Sequence, residues 1–133
     1  MTSAEVRIDA VVVSCALSAG IHAALVPQHL REGLGPGAAF ALSAALLAGC
    51  AIALTRRPER SVVRAATATV LGGLLAAYAA GTTAGLPLLH PEPEPVTGLG
   101  LATKAIEAAG LLVLLAGVRP AATSRPRAKG TIT

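Results

Sequence analysis

The chain has 133 residues, of which 53% are hydrophobic, 14% charged and 2% aromatic. Soluble domains carry about 25% charged residues, so this composition excludes an ordinary soluble core and fits a single membrane domain whose Ala, Gly, Ser and Thr let helices pack closely. The formal net charge of +4 comes largely from arginines set beside apolar runs with no aromatics among them, a pattern of membrane orientation and not of nucleic-acid binding.

Four apolar segments stand out in chain order, at 10–26, 38–54, 62–84 and 98–118. At about 1.5 Å per residue, each can cross a hydrocarbon core of about 30 Å. Lipid offers no partner to backbone groups, so all four are expected as helices. The first is expected to stop at Pro27, and Gly35-Pro36-Gly37 opens the second. Val12-Val13-Ser14-Cys15 superficially matches a lipoprotein cleavage box, but Asp9 shortens the preceding apolar run and Glu5 is acidic. With no A-x-A site either, the first segment reads as a retained signal anchor. Arg56-Arg57-Pro58 closes the second segment, Gly85-Leu86-Pro87 the third and Arg119-Pro120 the fourth. Residues 119–133 form a basic polar tail, expected to be disordered.

The expected fold is therefore all-α, an up-down four-helix transmembrane bundle with short loops. Arg7, Arg56, Arg57, Arg60, Arg64, Arg119, Arg125, Arg127 and Lys129 fall on one side of it, and only Arg31 on the other, with Lys104 just inside helix four. That bias places both termini in the cytoplasm of a bacterial inner-membrane protein and loops 27–37 and 85–97 outside. Cys15 and Cys50 lie within apolar runs and read as small packing residues rather than a disulfide framework. Gly81 and Gly85 form a G-x-x-x-G pair, available for internal packing or for a homodimer.

Titratable groups gather on the outer side. Ser14, Ser18 and His22 are four apart and share a face of helix one, which should look into the bundle because polar groups facing lipid are costly. His29 and Glu32 follow Pro27 at a spacing of three. Glu107 lies about 12 Å along helix four from its outer start. It can pair with Lys104, three residues away, or serve as a carboxylate ligand or proton acceptor facing His22. His90, Glu92 and Glu94 alternate along a proline-stiffened loop and would crown the same mouth. Imidazole with carboxylate suits Zn²⁺ or Cu²⁺ among other divalent ions, and no cysteine lies near enough for a thiolate site. No phosphate-cradling glycine motif, nucleophile elbow or H-E-x-x-H spacing is present. Haem would need two intramembrane histidines on facing helices, and only His22 is clearly intramembrane.

His22, Pro27-Gln28-His29-Leu30-Arg31-Glu32, Gly85-Leu86-Pro87, Glu92, Glu94 and Glu107 together resemble the pattern of small, functionally uncharacterised four-span bacterial integral membrane proteins. That resemblance implies a four-span fold and brings no activity with it. The leading expectation is an outward-facing divalent-metal site for sensing, sequestration or delivery, with His22, His29, Glu32, Glu107 and His90 as ligands. One alternative is a non-catalytic accessory subunit that docks in a larger membrane complex. Another is a proton-coupled carrier using Glu107 and His22.

Overall fold

The computed structural model describes residues 2–87, 89 and 91–117. They form four helices, α1 (Ser3–Glu32), α2 (Leu34–Arg56), α3 (Ser61–Thr83) and α4 (Gly98–Ala116), with no strand among the described residues. All four are long and apolar enough to cross a membrane, as in a multi-pass membrane protein. In the ring they form, α1 contacts α2 and α4, and α3 contacts the same two helices. The 119–133 tail lies outside the described residues.

α1 is longer at both ends than its 10–26 apolar stretch. Its start is set by a capping box: the Glu5 amide donates to the Thr2 hydroxyl at 3.3 Å, and the Glu5 carboxylate accepts from the Thr2 amide. That satisfies amides which a helix start otherwise leaves orphaned. At the other end the helix continues through Pro27 to Glu32. Proline removes one amide donor, yet spanning helices tolerate it where neighbours satisfy the freed groups. The stretch expected as loop 27–37 is thus almost wholly helical. A single extended residue, Gly33, separates α1 from α2, and its amide still donates to His29 O at 3.1 Å. At about 1.5 Å per residue α1 is about 45 Å long, so its ends extend beyond the hydrocarbon core.

The packed core sits toward one end of the bundle. It combines Val11, Cys15 and Ala19 of α1 with Leu47, Cys50, Ala51 and Leu54 of α2, joined by Leu71 of α3 and Leu114 of α4. Both cysteines are free and buried here, filling space as small apolar residues. α1 and α4 approach closely where a Cβ on Gly110 would stand 2.9 Å from the Ser14 Cβ. Large apolar side chains such as Val13, Leu42 and Leu112 point away from the protein, as a lipid-facing surface requires.

Gly81 and Gly85 do not share one helix. α3 ends at Thr83, and Gly85 lies beyond it at φ 74°, a left-handed conformation natural to glycine. Leu86 of the same chain covers Gly81, 3.7 Å from where its Cβ would be. Gly85 serves the turn out of α3, and Gly81 lies beneath Leu86.

Candidate functional site

At the end away from the packed core the helices part around a cavity of about 700 Å³. Its walls come from the last turns of α1, the first half of α2, the second half of α3 and the first turns of α4. His22, His29 and Glu32 all line it, as do Lys104 and the loop residues Glu92 and Glu94. The continuation of α1 past Pro27 matters for this arrangement. It keeps His22 and His29 on one rigid helix, seven residues or about two turns apart. His90 lies outside the described residues.

The loop after α3 is drawn over the cavity. Gly85 turns the chain, Leu86 lies against Gly81, and the Glu94 amide donates to Gly81 O at 2.9 Å. The prolines flanking Glu92 and Glu94 stiffen this return path. α4 then restarts at Thr97, whose hydroxyl accepts from the Gly100 amide at 3.1 Å.

The deepest polar group is Glu107, whose side chain is fully buried. The Ser18 hydroxyl donates to its Oε1 at 2.6 Å, and Lys104 Nζ pairs with its Oε2 at 2.6 Å. His22 Nε2 stands 3.9 Å from Oε1. Glu107 thus pairs with Lys104 and also faces His22. Ser18, on the polar face shared with His22, ties α1 to this carboxylate.

The two histidines are held in the same way. His22 Nδ1 lies 2.9 Å from Ser18 O, and His29 Nδ1 lies 3.0 Å from Leu25 O. A carbonyl only accepts, so each Nδ1 carries a proton; in the neutral form of such a ring the lone pair is on Nε2. His22 Nε2 faces Glu107 at 3.9 Å, and His29 Nε2 faces Glu32 Oε2 at 3.8 Å. Phe40 of α2 touches both rings. It stacks on His29 with centroids 3.6 Å apart, and tilts against His22 at 5.4 Å.

Phe40 and Tyr78 are the participants that sequence reasoning passed over. They are the only Phe and the only Tyr in the chain. Both line this cavity, and Lys104 Nζ lies 5.7 Å above the Tyr78 ring. Their scarcity was the available signal, because nothing in their spacing marks either one. The Tyr78 hydroxyl is buried and has no hydrogen-bond partner among the described residues.

Among the described residues, no three His, Cys, Asp or Glu side chains stand together as a ready-made metal set. They stand instead as two imidazole–carboxylate pairs, His22–Glu107 below and His29–Glu32 at the mouth. No protein family, curated protein or solved structure matches this chain.

Proposed function

We propose that this multi-pass protein sits in a bacterial inner membrane and binds a divalent transition metal, Zn²⁺ or Cu²⁺, at the cavity mouth. His29 and Glu32 are the primary ligands, for sensing, sequestering or delivering the ion. One observation carries the reading. His29 donates its Nδ1 proton to Leu25 O, leaving Nε2 3.8 Å from the Glu32 carboxylate. Metal-binding histidines are oriented in this way, with the far ring nitrogen donating to a carbonyl or carboxylate. The gap is too long for a hydrogen bond. Metal–ligand bonds of about 2.0–2.1 Å in tetrahedral geometry separate two ligand atoms by about 3.3 Å, so a small movement admits an ion between them.

The inner pair is less suited to a divalent ion. Glu107 already accepts from Ser18 and from Lys104, and the Lys104 ammonium would repel a second cation. His22 and Glu107 therefore act as an inner polar station below the mouth, and Glu92 and Glu94 contribute acidity from the loop above. With the bundle up-down, the mouth lies opposite the end carrying Arg7 and Arg64, which the positive-inside bias assigns to the cytoplasm. The mouth then faces outward.

The test is Cu²⁺ titration of tag-free protein in mild detergent, followed by electron paramagnetic resonance. The expected result is one saturable site with imidazole nitrogen coupling that is lost in His29→Ala. Binding no tighter than about 1 mM, which corresponds to only about −4 kcal/mol, overturns the proposal.

A further inference from the structure

A metal ion with ligand bonds of about 2.0–2.2 Å fills only a small part of a ligand-sized cavity. The chamber here is about 700 Å³, within the range of about 300–1,000 Å³ that houses small organic ligands. Below the mouth its walls are mostly apolar, with Ile21, Leu25, Leu74 and Ala77 among them. An occupant of that space needs an apolar body.

The head of such an occupant is defined by the inner station. Lys104 Nζ gives one N–H to Glu107 at 2.6 Å. An ammonium has three N–H donors, so others remain for a second acceptor. His22 has committed its Nδ1 proton to Ser18 O and offers a lone pair at Nε2. These two groups lie against opposite oxygens of one carboxylate, Nζ on Oε2 and Nε2 at 3.9 Å from Oε1, and both line the cavity. A donor and an acceptor therefore flank one carboxylate in the wall of an apolar chamber. The Lys104 and Glu107 charges cancel, so neither a cationic nor an anionic head gains from entering.

A hydroxyl group matches this pair, because one oxygen can both donate and accept. We propose that the chamber binds an uncharged, lipid-soluble alcohol, its hydroxyl donating to His22 Nε2 and accepting from Lys104 Nζ while its chain lies along the apolar walls. The site is separate from the metal ligands at the mouth, and the inference stands whether or not a metal binds there.

The chain supplies its own reporter. Tyr78 is the only tyrosine, and there is no tryptophan. The Lys104 ammonium that would donate to the new partner lies over its ring. 1-Dodecanol and dodecane are titrated against the protein in lipid bicelles, with a chelator present to remove metals. Tyr78 emission gives the affinity, and calorimetry gives the stoichiometry. The expected result is one saturable site that prefers the alcohol by about tenfold, the worth of one to two net hydrogen bonds. The Lys104→Met/Glu107→Gln double variant leaves no unpaired buried charge and should bring the preference close to one. Ala39→Leu, which narrows the chamber from α2, should weaken binding of both probes while the fold is retained. Equal affinity for the two probes, no saturable change, a preference that survives the double variant, or binding untouched by Ala39→Leu each overturns the proposal.

Discussion

Lys104→Met removes the cation that faces a carboxylate with no exposed surface. The Lys104 side chain is itself only 14% exposed, and its Nζ–Oε2 distance is 2.6 Å. At an effective dielectric of about 20, Coulomb's law gives a gross attraction of about 6 kcal/mol for that separation. Part of this offsets the desolvation of both ions. The net loss on deleting one partner is about 3–5 kcal/mol, because the remaining charge stays buried and unpaired. Replacing both members, as in Lys104→Met/Glu107→Gln, should recover most of the loss. The coupling read from a double-mutant cycle should exceed about 2 kcal/mol, well above the ~0.2–0.5 kcal/mol of such a pair on an exposed helix. The assay is equilibrium unfolding of the four proteins in bicelles. If Lys104→Met costs less than about 1 kcal/mol, as exposed pairs do, the pair is not buried as described and the reasoning fails.

Other consequences follow from single contacts. Gly110→Leu places a side chain where even a Cβ would be 2.9 Å from Ser14 Cβ; it should force α1 and α4 apart and cost about 1–3 kcal/mol in the same unfolding assay. Gly85→Ala meets a φ of 74° and should cost about 1–2 kcal/mol. Hydrogen exchange at the Glu94 amide should then quicken, and unchanged protection would detach Gly85 from the loop's placement. Phe40→Leu removes the ring stacked 3.6 Å from His29, so Cu²⁺ affinity should fall about tenfold, as when support behind a metal ligand is lost. Equal affinity in that variant would show that the stack does not orient the imidazole.

The apolar runs revealed the four helices because lipid leaves a chain few alternatives, and α2, α3 and α4 begin and end within a few residues of their apolar stretches. α1 was misjudged at Pro27, where proline was read as a stop. In a helix end supported by α2 it only deletes one hydrogen bond. Ser18, His22 and Glu107 were legible as an inward-facing set from helical spacing and from the cost of a polar group in lipid. That cost says only that each needs a partner. Lys104 was legible as a partner from its spacing of three along α4, but the Ser18 partner reaches across from α1 and depends on how the helices are rotated, which periodicity does not encode. The end of α3 before Gly85 was hidden for a related reason. The G-x-x-x-G motif assumes one continuous helix, while the chain leaves α3 at Thr83 to turn through Gly85.

The metal reading is tested most directly by elemental mass spectrometry of protein purified without a histidine tag, before and after soaking with Zn²⁺ and Cu²⁺. The wild type is compared with a His29→Ala/Glu32→Ala variant whose helicity is verified. Near-stoichiometric metal in the wild type, lost in the variant, is the predicted result. Protein that holds no metal after soaking, or a variant that holds as much as the wild type, contradicts it.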